Sequence, residues 1–290
     1  QVLKVRSSTF GFTLIWLFNV FMLIYFETID SSAKLQEIGK FDFFENLVSS
    51  FTDSVKIFEI IALTISTVML WLSSKKLQKS YILVLVFLPF YTLLFSTQTN
   101  WGIAIAFFFT SYFIDYKYGL FSILAHPGSL VLFIWNFLTK IKSIYVIIFT
   151  VFIVSLLVFT IRQLSIYLTL TGYSMQQTEI NIEPVFIFVW FLLIHSCLQF
   201  FMYKLKKNDA ILKTFKILFI GLIIHLLSLF FNLSILNYRI LAVLGVFILL
   251  FQHQVYQVKP SLYNIVIIII TTLIFIYFYE FKFGWLRLLR

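Results

Sequence analysis

Residues 119–138 read GLFSILAHPGSLVLFIWNFL. This stretch is apolar on both sides and is interrupted in the middle by His126, Pro127 and Gly128. Pro127 has no backbone donor and clashes with the preceding helical turn, while Gly128 permits a chain reversal. The stretch therefore predicts either one kinked membrane span or a hairpin of two half-helices. At 1.5 Å per residue each arm of such a hairpin reaches about 10–15 Å, which is roughly half of a bilayer core.

The composition around this stretch excludes most soluble classes of protein. The chain has 290 residues, of which 61% are hydrophobic and only 12% are charged, whereas a soluble domain carries about 25% charged residues. A soluble enzyme, a disordered chain and a nucleic-acid-binding domain are excluded, despite the net charge of +10. Because Cys197 is the only cysteine, an intrachain disulfide and a cysteine-based metal site are excluded as well.

Apolar runs long enough to cross a bilayer recur along the whole chain, since a crossing helix needs about 20 apolar residues. The runs cover residues 9–26, 54–72, 81–96, 100–114, 143–161, 184–203, 211–231, 238–251 and 262–279. The sequence therefore predicts an all-α protein, a polytopic transmembrane helical bundle of about nine full spans plus the broken, re-entrant-like helical hairpin.

The distribution of basic residues favours the hairpin over the single crossing. Cytoplasmic loops collect Lys and Arg. With the N-terminus inside, a hairpin at residues 119–138 places a clear majority of the 22 basic residues inside, whereas a full crossing divides them evenly. We therefore expect one integral membrane domain over residues 1–290, with extracytoplasmic loops at residues 27–53 and 162–183.

Two scarce arginines are the first candidates for chemistry. Arg239, in Asn237-Tyr238-Arg239, and Arg162 fall at the predicted outer ends of spans, in a chain whose usual basic residue is lysine. A guanidinium group binds phosphate oxygens in bidentate fashion, which lysine cannot do. The functional interpretation is diphosphate binding near the outer leaflet; the alternative is an interface anchor that bonds loop carbonyls.

His126 is the second candidate, because a neutral imidazole in a cavity can act as a general base near neutral pH. The alternative is a histidine that caps carbonyls of the broken helix. Weaker candidates are His225, which is expected to be structural, and Asp42 and Glu45, which are expected to be solvated acids of a surface helix. The chain contains no HExxH, DxD, CxxC or GxxxxGK[ST] motif, so neither a metal nor another cofactor is predicted.

Several short segments resemble one family. They are Thr99-Asn100-Trp101-Gly102-Ile103-Ala104-Ile105-Ala106, Asp115-Tyr116-Lys117-Tyr118, Ala125-His126-Pro127-Gly128-Ser129 and Tyr238-Arg239. Together they resemble the EpsG / O-antigen polymerase (Wzy-type) family of polytopic membrane polysaccharide polymerases. Asn100 stands where the family has arginine at the start of a helix, which makes it a further weak site candidate. Arg162 with Gly172 is similar to a loop motif of some of these proteins.

The resemblance implies a metal-independent glycosyltransferase that needs no cofactor. It would polymerise undecaprenyl-diphosphate-linked oligosaccharide repeat units into O-antigen, capsular or exopolysaccharide, as a multi-pass protein at the outer face of the bacterial inner membrane. Its partners would be that lipid-linked oligosaccharide and membrane lipid, with a chain-length regulator protein left open, and no nucleic acid. The alternative function is a lipid-linked oligosaccharide flippase or another polytopic membrane transporter.

Overall fold

The structure is a computed structural model that describes part of the chain. The described residues are 9–14, 16–18, 20–21, 55–76, 99–115, 117–125, 129–140, 152, 155–156, 160, 184–205, 208–230 and 234–282. These residues form helices joined by turns, and they contain no strand. The prediction of an all-α protein is therefore confirmed for the part of the chain that the structure describes.

Eight helices have defined bounds. They are α1 (Val55–Lys76), α2 (Thr99–Phe113), α3 (Tyr118–Ala125), α4 (Leu130–Leu138), α5 (Pro184–Met202), α6 (Asp209–Phe230), α7 (Ser234–Val258) and α8 (Leu262–Lys282). Helices α1, α2, α5, α6 and α8 coincide with predicted spans to within four residues at each end, whereas α7 extends seven residues beyond the predicted end at residue 251. Thr9–Phe18 forms a further helical segment. The predicted span at 81–96 and most of that at 143–161 lie outside the described residues, as do the two predicted extracytoplasmic loops.

Helix starts in the second half of the chain follow capping rules that are visible in the sequence. The Asn208 side-chain oxygen accepts a hydrogen bond from the backbone N–H of Ile211 at 3.2 Å, at the start of α6. The Ser261 hydroxyl accepts one from the backbone N–H of Asn264, also at 3.2 Å, at the start of α8. Such side chains satisfy N–H groups that have no partner inside the helix. Pro184 is the first residue of α5, where its missing N–H costs nothing.

The predicted number of full spans needs correction. Within the described residues, one helix, Asp209–Phe230, is both long and apolar enough to cross a bilayer. In the other helices the apolar stretches found among the described residues are Ile57–Ser73, Gly102–Phe113, Ile187–Met202, Val243–Val258 and Leu262–Phe275. The described helices therefore do not support about nine full spans.

The helices group into two compact units, residues 1–136 with 269–290 and residues 137–268. In the first unit α1 packs against α2, and the Ser73 hydroxyl on α1 lies 3.3 Å from the Thr110 hydroxyl on α2. The expectation of a single domain over residues 1–290 stays a prediction.

The helical segment Thr9–Phe18 is joined to α1 by two reciprocal hydrogen bonds. The indole N–H of Trp16 donates to the Thr64 hydroxyl at 3.0 Å, and the indole N–H of Trp71 donates to the Thr9 hydroxyl at 3.1 Å. The start of the segment Thr9–Phe18 thus lies beside the end of α1, so the two helices run antiparallel. They flank a cavity of about 250 Å³.

In the second unit α5, α6 and α7 pack on one another. Three aromatic rings mark one level of this packing. Phe215 of α6 stacks on Phe200 of α5, with ring centroids 4.0 Å apart and an interplanar angle of 3°, and it lies 6.3 Å from Phe251 of α7. Phe200 and Phe251 are buried. This aromatic layer fixes the register of the three helices.

Candidate functional site

The structure describes some of the predicted site residues in full, some only in their backbone, and some not at all. His126, Arg162, Asp42 and Glu45 lie outside the described residues. Asn100 lies in the first turn of α2 and Arg239 in the second turn of α7, and in both cases only the backbone is described. His225 on α6 is described in full.

The chain on either side of His126 forms two helices that run back along each other. A Cβ atom built on Gly119 would lie 2.9 Å from Cδ2 of Phe133, and the hydroxyl groups of Ser122 and Ser129 are 3.4 Å apart. In one continuous helix Gly119 and Phe133 would be separated by about 21 Å. The chain therefore reverses between α3 and α4, and residues 126–128 connect the two arms. The reversal agrees with a hairpin rather than one continuous helix, and the prediction that both ends of the hairpin lie on the cytoplasmic side stays a prediction.

The inner face of α3 consists of small residues, and this permits the close approach of its neighbours. Gly119, Ser122 and Ala125 are its buried residues, and they recur at a spacing of three, on one side of the helix. A Cβ on Gly119 would also contact Cβ of Ser111 on α2 at 3.6 Å. Small residues let helix backbones approach closely, so α3 is held between α2 and α4.

The second arm is fixed to α2 by a hydrogen bond and a ring contact. The Asn136 amide donates to the Ser111 hydroxyl at 2.7 Å, and both side chains are buried. The rings of Trp135 and Phe108 are 5.7 Å apart, and neither is exposed to solvent. A buried amide that is hydrogen-bonded fixes orientation as well as contact. Both arms of the hairpin are thus anchored, and with them the ends of the segment that carries His126.

His225 lies in a closed environment at one end of the second unit. Its side chain has no exposed area, and its ring meets the edge of Trp190 on α5 with centroids 6.2 Å apart and an interplanar angle of 70°. Its backbone carbonyl accepts a hydrogen bond from the Ser228 hydroxyl at 2.7 Å. A fully enclosed ring in an edge-to-face contact is typical of a packing role.

The backbone of Arg239 lies at the level of His225. Helices α6 and α7 pack on each other and are joined by residues 231–233; their neighbouring aromatic residues Phe215 and Phe251 show that they are antiparallel. His225 is five residues before the end of α6 and Arg239 five residues after the start of α7. Each is therefore about 7.5 Å from the connection. Trp190, His225 and Arg239 define one end of the second unit, called here the arginine end.

The burial of His225 leads to a prediction about its role. His225→Ala leaves a cavity beside Trp190 and is expected to lower the free energy of unfolding by about 3 kcal/mol, as truncation of a buried ring does. His225→Phe keeps a ring of similar shape and is expected to retain most of the stability and activity. Thermal unfolding followed by circular dichroism checks the first expectation. A folded His225→Phe protein without activity would show that the imidazole itself is needed.

A polar cluster at the opposite end of the second unit was missed in the sequence. The Gln252 amide on α7 donates to the Ser196 hydroxyl on α5 at 3.0 Å, and the Gln199 amide on α5 donates to the Asn264 side-chain oxygen on α8 at 3.1 Å. The Asn264 amide in turn donates to the backbone carbonyl of Lys259 at 2.8 Å. All four of the linked side chains are at least 96% buried. We call Ser196, Gln199, Gln252 and Asn264 the amide cluster.

Two further histidines lie in the same part of the unit. His195 Nε2 and the Tyr263 hydroxyl are 2.6 Å apart, and His253 Nε2 is 3.0 Å from the Gln257 amide nitrogen. The signal for the whole region was present in the sequence, because polar residues within apolar helices are unusual and are typical of functional positions. Which of them meet across helices was not visible, since the partners on different helices are 56 to 68 residues apart.

Comparison with known proteins adds no identification. No family model, no curated protein and no solved structure matches this chain.

Proposed function

We propose that this protein is a multi-pass membrane glycosyltransferase that polymerises undecaprenyl-diphosphate-linked oligosaccharide units at the outer face of the bacterial inner membrane. The observation that carries the proposal is the chain reversal between α3 and α4. An apolar stretch that turns back after half a bilayer thickness places irregular backbone at depth, and that is tolerated only beside protein or a cavity. The sequence puts a histidine at this turn.

Exposed apolar side chains support insertion into a membrane. On α5, residues Ile187, Phe191, Ile194, Leu198 and Phe201 form one stripe along the helix, and each is at least 56% exposed. On the hairpin Leu120, Leu124 and Phe137 are likewise exposed. Contiguous exposed apolar surface is rare in soluble monomers. Lipid chains are the partner that would cover such surfaces on several helices at once.

The proposed reaction is transfer of a sugar from a diphosphate. A hydroxyl oxygen of one lipid-linked unit attacks the anomeric carbon of another, the bond from that carbon to the diphosphate oxygen breaks, and the diphosphate leaves with the electron pair. His126 would accept the hydroxyl proton. Arg239 and Arg162 would hold the diphosphate. Fixed cations in a low-dielectric site stabilise the charge that develops on the leaving group.

A deletion strain tests this proposal directly. If the protein is the polymerase, the ladder of surface polysaccharide on a gel collapses to a single repeat unit that still reaches the cell surface. Plasmid-borne wild-type protein restores the ladder. A ladder of unchanged length in the deletion strain would contradict the proposal.

The amide cluster favours a second candidate, a lipid-linked oligosaccharide flippase or another transporter. Transporters use polar groups enclosed between helices as substrate sites, and the amide cluster is enclosed in this way. The same deletion strain separates the two functions. Without a flippase, lipid-linked units accumulate on the inner face and are not accessible from outside, whereas without a polymerase single units appear outside.

A further inference from the structure

The cavity of about 250 Å³ between the segment Thr9–Phe18 and α1 has a tryptophan–threonine pair at each end. Trp16 bonds Thr64 at one end, and Trp71 bonds Thr9 at the other. On each helix the two paired residues are seven positions apart, which corresponds to about 10.5 Å. The pairs hold the helices together at these two levels, and side chains do not fill the space between them. We call this space the tryptophan cavity.

The walls of the tryptophan cavity are apolar. The indole N–H groups of Trp16 and Trp71 are both used in the pairs, and the Thr13 hydroxyl donates to the backbone carbonyl of Thr9 at 2.9 Å. The hydroxyl oxygen of Thr67 is itself buried. A buried water molecule needs about two to four polar partners, so water is a poor occupant. A polar ligand would likewise leave its own groups unpaired.

The tryptophan cavity has a buried floor and an exposed entrance. Phe12 in its lining is 2% exposed, whereas Val68 is 43% exposed and Thr13 is exposed as well. Phe10 and Leu17 lie three residues before and four residues after Thr13, so they share its side of the helix. Both are at least 50% exposed. The entrance between the two helices therefore opens onto apolar surface.

The dimensions of the tryptophan cavity fit one hydrocarbon chain. Since an apolar cavity of about 150 Å³ holds benzene, about 250 Å³ has room for about ten carbon atoms. A zigzag of about ten carbon atoms joined by bonds of about 1.5 Å is about 11 Å long. This length is close to the distance between the two tryptophan–threonine pairs. A second chain, or a chain with methyl branches, would need a wider space.

We propose that the tryptophan cavity binds the end of an unbranched acyl chain of a membrane phospholipid. The chain enters between Thr13 and Val68 and lies along the two helices, against the rings of Phe12, Trp16 and Trp71. Acyl chains and spanning helices have a common direction in a bilayer, so the chain enters without a sharp bend. This site depends on the membrane location in the proposed function, but not on the proposed reaction.

Photolabelling in vesicles tests the site on the full-length wild-type protein. The probe is phosphatidylcholine with a diazirine near the end of one straight acyl chain, diluted in unlabelled phosphatidylcholine, and labelled residues are identified by peptide mass spectrometry. Only a chain inside the tryptophan cavity reaches Phe12, whereas any surrounding lipid reaches Ile57, which is 47% exposed on α1. We expect labelling at both residues and none at Phe108, which is buried on α2.

Two outcomes of this experiment count against the site. An unlabelled Phe12 beside a labelled Ile57 overturns the proposal while leaving the membrane location intact. If neither residue is labelled, the membrane location fails and the site fails with it. No lipid-linked sugar is present in the vesicles, so neither outcome depends on the polymerisation reaction.

Variants at exposed positions test the entrance. Val68→Phe places a ring at the entrance and is expected to abolish labelling at Phe12, while Ile57 stays labelled. Ile57→Phe is the matched control, since it adds the same ring to the same helix away from the cavity lining, and it is expected to keep the labelling at Phe12. Labelling at Phe12 that survives in folded Val68→Phe protein overturns the proposal. If that variant fails to fold, the wild-type result still decides.

A second probe tests the preference for an unbranched chain. A polyprenyl phosphate with a diazirine near the end of its methyl-branched chain is incorporated into the same vesicles. We expect it to label Ile57 and not Phe12, because the branched chain is too wide for the tryptophan cavity. Labelling of Phe12 by this probe overturns the assignment to an unbranched chain.

Discussion

Replacing Arg239 with alanine is expected to lower the rate of polymerisation at least about 100-fold, the typical effect of removing one group that stabilises developing charge in a transition state. The reason is that the leaving diphosphate would lose a bidentate cation in a site of low dielectric constant. Arg239→Lys keeps the charge but not the planar fork, so an intermediate rate is expected. The measurement is the rate of chain growth on lipid-linked repeat units in proteoliposomes.

A matched control removes one positive charge elsewhere. Lys117 precedes α3 and is exposed, and Lys117→Ala is expected to leave the rate unchanged. The expression level and the unfolding temperature of each variant establish that the protein is folded. Full-length polysaccharide from folded Arg239→Ala protein in a complemented strain would exclude Arg239 from the reaction.

Substituting Gly119 with valine is expected to disrupt the hairpin. A Cβ at this position would lie 2.9 Å from the Phe133 ring, so α4 must move or the ring must change its rotamer, and such overpacking costs about 1–3 kcal/mol. Valine adds two methyl groups beyond that Cβ. We expect a lower free energy of unfolding of about 2 kcal/mol and a loss of activity larger than the loss of folded protein, because the segment carrying His126 would shift. Thermal unfolding and the polymerisation assay measure the two effects.

The control for this substitution lies on the same helix. Leu120 is 54% exposed, and Leu120→Val places the same side chain one residue further along α3 without meeting a neighbour. It is expected to change stability by less than about 0.5 kcal/mol, as surface substitutions usually do. A second variant, Gly119→Val with Phe133→Ala, removes the clash and is expected to recover part of the activity. A fully active Gly119→Val protein would show that the packing of the two arms does not position the site.

Much of the helical framework could be predicted from local sequence. The apolar runs at 184–203 and 262–279 correspond to α5 and α8 within a few residues, and Pro184, Asn208 and Ser261 mark helix starts as capping rules require. The break at Pro127 and Gly128 could also be predicted from the sequence, because proline and glycine change the backbone conformation of the turn in which they lie. The described residues do not support about nine full spans, because only Asp209–Phe230 among them is both long and apolar enough to cross a bilayer.

The candidate sites could be predicted only in part. Arg239 and His225 each stand out in the sequence on their own. That they lie at a common level on α6 and α7 follows from the antiparallel packing of the two helices, which no short motif encodes. The amide cluster was missed altogether. Gln199 and Asn264, and likewise Ser196 and Gln252, are 65 and 56 residues apart, so each looks like an isolated polar residue in an apolar helix.

By itself the amino-acid sequence determined where helices form, where they begin and where the chain must break, because these depend on interactions within a few residues. Tertiary structure alone decided that Phe133 packs over Gly119 and that buried amides from three helices meet. Such contacts join residues distant along the chain, and their geometry depends on how whole helix faces fit together, which is a property of the folded molecule.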